Sequence, residues 1–172
     1  FRSLENKKPL EIHHQIESVK ILHPNLPNEQ NKYPLITLEA VNRAIINNPN
    51  AKRIFCMAVT TDFQVDFGKP SAYSSVLDSI IFGEDINDKK IFLVSAGNVR
   101  GEHNWKNYPV SNLNLSVESP AQSWNAISIG AYTEKILPDA ATVANKFELS
   151  PFSTTSSSWD SNWPIKPEVV FE

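Results

Sequence analysis

The chain of 172 residues has one cysteine and only five glycines. A single cysteine excludes an internal disulfide framework. Five glycines leave little material for a glycine-rich phosphate loop, and neither a G-x-G-x-x-G nor a P-loop motif is present. The sequence therefore disfavours a doubly wound nucleotide-binding domain.

The chain also lacks an excess of basic residues and any long hydrophobic run. Sixteen Lys and Arg stand against 19 Asp and Glu, which gives a net charge of −3. Nucleic-acid binders usually carry a basic stripe, so we predict no nucleic-acid partner. No run approaches the roughly 18 apolar residues of a membrane span, and no signal peptide is visible, so no membrane partner is predicted. Oligomeric state is left open.

Cysteine and histidine give no metal-binding pattern. Cys56 lies in the apolar run 54–59, which predicts a buried structural thiol and slightly favours a reducing compartment, the cytoplasm. Of the four histidines only His13 and His14 are close, and neighbours on a strand point to opposite faces. We therefore predict no metal site and no cofactor.

Alternating strand and helix patterns predict an α/β fold. Val41, Ala44 and Ile45 continue a helical spacing after Thr37, the expected N-cap of a helix over 37–48. Ser71 can cap a second helix that ends near residue 82. The order of elements predicts βαβ crossovers and a parallel sheet. The predicted strands are 53–60, 91–95, 126–132 and 167–171, with a shorter β-prone run at 15–22.

The predicted strand 91–95 ends in a turn that carries an asparagine. Residues 91–95 are apolar or β-branched except for the last, and Ala96, Gly97 and Asn98 follow. Ligands of open α/β sheets bind beyond the carboxyl ends of the strands, which makes Asn98 a candidate site residue. The alternative is an asparagine that is merely tolerated in a left-handed turn beside Gly97.

The same turn, Ser95 to Asn98, resembles the segment of subtilisin-like serine peptidases (subtilases) that supplies the side-chain donor of the oxyanion hole. Further segments resemble the family in the right order, over roughly residues 16–171. Residues 118–125 and 163–168 look like a divergent bacterial branch. The segments that carry the likeness are 18–22, 37–48, 53–60, 71–82, 91–98, 108–109, 125–131 and 150–153.

The resemblance implies a three-layer α/β fold, with a mostly parallel sheet and flanking helices. Residues 1–172 would be one partial subtilisin-like domain, truncated at both ends. It also implies a serine endopeptidase that hydrolyses a peptide or protein substrate, without a cofactor, with Asn98 in the oxyanion hole. The walls of the substrate cleft would be Val59, Thr60 and Thr61 together with Ser95, Ala96 and Gly97. Where the family usually has glycine, this chain has Thr60.

The family's three catalytic motifs do not occur in this sequence. His13-His14 lacks the following glycine, and Thr154-Thr155-Ser156 lacks the preceding one. We therefore expect the Asp/His/Ser triad to lie outside the chain, so that the chain alone is inactive. The alternative is a subtilase-like pseudoenzyme that acts as a protein-binding or regulatory module.

Two residue groups are expected to serve the loops. The aromatic side chains of Trp105, Tyr108, Trp124, Trp159 and Trp163 are predicted to anchor long loops over the core. The hydroxyl-rich segment 153–158 is predicted to be a solvated loop.

Overall fold

A computed structural model describes residues 13–23, 25, 28–61, 66–83, 88–134 and 142–172. Its centre is a sheet of four strands in the order β1-β2-β3-β4, and all three neighbouring pairs are parallel. The parallel α/β prediction is therefore confirmed, and all four carboxyl ends lie at one edge. The strands are β1 (Ile54–Met57), β2 (Ile91–Ser95), β3 (Ile127–Ala131) and β4 (Val169–Phe171).

Two long helices and two short ones accompany these strands, the first before β1 and the other three between strands. A 3₁₀ turn at Gln30–Lys32 leads into the first long helix, and the second lies between β1 and β2. Both short helices lie between β2 and β3. The helices are α1 (Tyr33–Asn47), α2 (Ala72–Phe82), α3 (Glu102–Lys106) and α4 (Val110–Asn114).

Helix α2 begins where the sequence predicts it. The Ser71 hydroxyl accepts the Ser74 N–H at 3.0 Å, and the Ser74 hydroxyl accepts the Ser71 N–H at 2.9 Å. These two bonds form a reciprocal capping box that satisfies N–H groups left open at a helix start. Leu77, Ile80 and Ile81 on the predicted apolar face are buried.

The core lies between these helices and one face of the sheet. Val41 of α1 and Leu77 of α2 belong to one buried cluster with Phe92 and Val94 of β2. On the opposite face Ile54 and Ile91, which are parallel neighbours, are 63% and 51% exposed. The described residues thus cover one face of the sheet, and the third layer expected from the resemblance is not among them.

The prediction of a buried Cys56 is wrong. Cys56 is exposed, because β1 is an edge strand of the described sheet and because residue 56 shares the uncovered face with Ile54. Four successive apolar residues indicate a strand, but they do not show which of its two faces is covered. The thiol is therefore not packed in the core, as the expected structural role would require.

The start of the first helix is also corrected. Helix α1 begins at Tyr33, four residues before the expected cap, and Pro34 occupies its first turn, a position where proline is favoured. Thr37 is instead a buried helical residue whose hydroxyl lies 2.8 Å from the hydroxyl of Tyr73. Burial raises the pKa of Tyr73, so its hydroxyl keeps its proton near neutral pH.

The predicted strands at 53–60 and 15–22 differ most from the observed ones, whereas 126–132 and 167–171 are shortened to Ile127–Ala131 and Val169–Phe171. The strand expected at 53–60 is confined to Ile54–Met57. The run 15–22 forms no strand in the part of the chain that is described, and residues 13–20 are exposed. β-branched residues favour a strand only when a partner strand and a covered face are available.

A buried lysine joins the last two strands. Lys166 is 2% exposed, and its Nζ donates to the Ala126 carbonyl at 3.0 Å and forms an ion pair with Glu168. The other carboxylate oxygen of Glu168 accepts the N–H and the hydroxyl of Ser128 at 2.7 and 2.6 Å. A buried ammonium group needs such partners, because it has lost its hydration.

We expect Lys166→Ala to lower the free energy of unfolding by about 3 kcal/mol, because it leaves the Glu168 carboxylate without its cation. The matched control is Lys106→Ala. Lys106 forms an ion pair with Glu102, and their side chains are 70% and 71% exposed. The control should cost less than about 0.5 kcal/mol. Urea unfolding of both variants measures the difference, and equal losses would contradict the role assigned to Lys166.

Candidate functional site

The candidate site lies where the chain leaves β1 and β2. Because these strands are parallel neighbours, residues 58–61 and 96–98 emerge at the same edge of the sheet. Asn98 is exposed, and its side-chain amide makes no hydrogen bond to the described part of the chain. An amide in this position can donate a hydrogen bond to a ligand above the sheet edge.

The residue after Asn98 is held on two sides. The Val99 N–H donates to the Phe152 carbonyl at 2.8 Å, and the Trp105 indole N–H donates to the Val99 carbonyl at 2.5 Å. Asn98 itself forms an antiparallel bridge with Ser153. The backbone on this side of Asn98 is therefore fixed by the segment 152–153.

The residues before Asn98 are equally constrained. The Ala96 N–H donates to the Ile129 carbonyl at 2.9 Å. The Ala96 carbonyl accepts two donors, the Glu118 N–H at 3.0 Å and the Thr154 hydroxyl at 2.9 Å. Ala96 and Gly97 are buried, whereas Ser95 is half-buried. The backbone N–H and carbonyl of Ala96 are thus both hydrogen-bonded within the protein.

The segment after β1 meets the same neighbour. The Thr61 N–H donates to the Ser119 carbonyl at 2.8 Å, and Thr61 is buried. The Thr60 hydroxyl donates to Glu118 Oε2 at 2.6 Å. Val59 and Thr60 are half-buried, so they present more surface at the sheet edge than Thr61 does.

Glu118 is the charged group of the site. The residue is 8% exposed. Its carboxylate accepts hydrogen bonds from both terminal nitrogens of Arg100, with Nη2 at 3.2 Å from Oε2. The Arg100 side chain is 45% exposed. A carboxylate this deeply buried is stabilised by such charge-assisted bonds, which also fix its orientation.

The structure brings the six predicted wall residues and Asn98 to one edge of the sheet. Two further residues at this edge, Glu118 and Arg100, were not predicted. Neither Glu118 nor Arg100 stands out in the sequence, because a lone carboxylate and a lone guanidinium are usually solvated. The prediction of a solvated loop at 153–158 is wrong at its start. Ser153 and Thr154 are buried beside the Asn98 turn. Ser153 lies at the end of the segment 150–153 that resembles the family, and this is the one sequence signal for the role.

The predicted anchoring of loops by aromatic residues is clearest at Trp105 and Trp159. Trp105 bonds the Val99 carbonyl and stacks edge-on against Phe152, with ring centroids 5.1 Å apart. The Trp159 indole N–H donates to the Ser116 hydroxyl at 2.6 Å. Trp124, by contrast, is 59% exposed.

A parallel sheet with a polar turn beyond a buried strand defines an α/β protein with its site at the carboxyl edge. The sequence model of the subtilase family matches residues 3–172, and the chain belongs to that family. No curated protein matches it. Membership indicates a serine peptidase, a hydrolase that acts on protein or peptide substrates.

No helix in the described ranges is long and apolar enough to cross a membrane.

Gly97→Ala tests how tightly the turn is packed. Gly97 has φ +114°, and a Cβ there would lie 2.7 Å from Glu118 Cγ, so the variant combines strain with a steric clash. Gly101→Ala is the control, because it has φ +87° but no atom within 4 Å of the new Cβ. We expect a loss of about 1–2 kcal/mol for the control and clearly more for Gly97→Ala. Unfolding curves that coincide would show that the close contact is absent.

Proposed function

We propose that this chain supplies the oxyanion-hole donor of a serine endopeptidase, and that this donor is the side-chain amide of Asn98. The observation that carries the proposal is a contrast in exposure and bonding. Asn98 is exposed, whereas Ala96, Gly97 and Val99 around it are buried. The backbone groups of Ala96 and Val99 are bonded to Ile129, Glu118 and Phe152, which lie in three different segments. A donor that stabilises a transition state must be reachable and fixed in advance.

The chemistry follows from where charge develops. When a serine hydroxyl attacks a peptide carbonyl, negative charge accumulates on the carbonyl oxygen, and a histidine takes the serine proton. A neutral amide N–H directed at that oxygen lowers the barrier without any proton transfer of its own. The nucleophile, the base and the orienting aspartate would come from residues outside 1–172, because the family's motifs for them do not occur here.

The two segments beside Asn98 would bind the substrate chain. Thr61, Ala96 and Gly97 are buried, so we assign the direct contacts to the half-buried residues Val59, Thr60 and Ser95. An extended peptide can add to an exposed sheet edge and place its side chains alternately into pockets. Residues 1–172 would form a single partial domain that contributes this cleft to the peptidase.

We expect Asn98→Ala in the full-length peptidase to lower kcat by about 10²-fold, since one oxyanion donor contributes roughly 3 kcal/mol to transition-state stabilisation. KM should change little, because the carbonyl oxygen of the bound substrate carries little of this charge. Steady-state kinetics on a peptide substrate measure both constants.

The matched control for this variant is Asn114→Ala at the end of α4. Asn114 is also exposed and has no side-chain hydrogen bond within the described residues. It should leave both kinetic constants and the melting temperature unchanged. If folded Asn98→Ala retains the wild-type kcat, Asn98 is only a turn residue and the proposal fails.

A second prediction separates a peptidase from a pseudoenzyme. The full-length protein should react with a fluorophosphonate probe at one serine outside residues 1–172. The chain 1–172 alone should not react, because the family's nucleophile motif does not occur in its sequence. Mass spectrometry of the labelled peptides locates the serine. Labelling of a serine within 1–172 would overturn the assignment of the triad, and an unlabelled full-length protein would favour the pseudoenzyme.

A further inference from the structure

We infer that Glu118 is a positioning residue that sets the direction of the Asn98 amide, and the inference rests on the proposed role of Asn98. The Glu118 carboxylate joins the Thr60 hydroxyl, which follows β1, to the Arg100 guanidinium, which follows the Asn98 turn. It therefore fixes the Asn98 turn relative to the opposite wall of the cleft.

The contact with Gly97 is the first step of the argument. The Glu118 side chain lies so close to Gly97 that a Cβ on that residue would be 2.7 Å from Cγ and 2.9 Å from Oε2. The Glu118 N–H also bonds the Ala96 carbonyl at 3.0 Å. Glu118 thus packs directly against the two residues that precede Asn98, and any shift of its side chain is transmitted to them.

The partners of the carboxylate are the second step. Oε1 accepts one Arg100 nitrogen, and Oε2 accepts the second Arg100 nitrogen and the Thr60 hydroxyl. Both oxygens are therefore engaged by the chain itself. A carboxylate in this state is poorly suited to bind a basic substrate side chain, which would have to displace Arg100. Its effect on catalysis would act through Asn98.

Catalysis makes this indirect effect measurable. An oxyanion donor contributes fully only when its N–H lies within hydrogen-bond distance of the position that the oxyanion takes. A misplacement of about 1 Å caused by a residue outside the chemistry can lower a rate as much as 10²-fold. Loss of the ion pair with Arg100 removes one contact that holds the turn. The hydrogen bonds of Phe152 to Val99 and of Thr154 to Ala96 remain.

The test is Glu118→Gln in the full-length peptidase, with and without Asn98→Ala. Glutamine keeps the volume and one acceptor oxygen but removes the charge that holds Arg100. We expect kcat to fall about tenfold when Asn98 is present, and less than about twofold when it is already alanine. The matched control is Glu102→Gln, which removes an exposed ion pair with Lys106 and should leave kcat unchanged.

The coupling between the two sites decides the outcome. A residue with a purely structural role would lower kcat by the same factor in both backgrounds, and that result, or an unchanged kcat in folded Glu118→Gln, would overturn the inference. If Glu118→Gln does not fold, Arg100→Gln replaces it in the same cycle, because the half-exposed arginine tolerates substitution more readily. A wild-type kcat in Asn98→Ala alone would instead refute the proposed function, so the two failures are distinguishable.

Discussion

The close approach of Gly97 to Glu118 is the constraint on which the candidate site depends. Gly97 has φ +114° and no space for a side chain. That conformation turns the chain away from β2 just before Asn98, and the Glu118 side chain fills the space that a Cβ would take. After the turn, the Phe152 carbonyl accepts the Val99 N–H, and before it the Thr154 hydroxyl donates to the Ala96 carbonyl. The direction of the Asn98 backbone is a consequence of these contacts.

Features that depend on a few neighbouring residues were predictable from the sequence. Ser71 caps α2 through a bond to a residue only three positions away, and the apolar spacing that follows it identifies the buried face. The run 91–95 and the small residues behind it likewise predict a strand and a turn, and β2 has those bounds. Parallel pairing followed from the alternation of helices and strands.

Features that depend on distant contacts were not predictable in this way. Thr60 and Glu118 are 58 positions apart, so no local pattern relates them. Cys56 is exposed because of which sheet face the helices cover, and the apolar run around it carries no information on that choice. Thr37 is an acceptable cap by residue type, yet it lies inside helix α1, which begins four residues earlier. There its hydroxyl contacts Tyr73 of α2. Tertiary contacts override local preference at each of these positions.

The arrangement around Asn98 separates the residue exposed to the substrate from the residues that maintain the fold. Asn98 makes no side-chain hydrogen bond to the described residues, so its amide adds little to stability, whereas Gly97, Val99 and Glu118 are buried. A preorganised site needs this division, because a donor engaged in the fold would have to break a bond before it could bind the oxyanion. Substitutions at Asn98 should therefore change the rate of catalysis, and those at its buried neighbours should change stability and rate together.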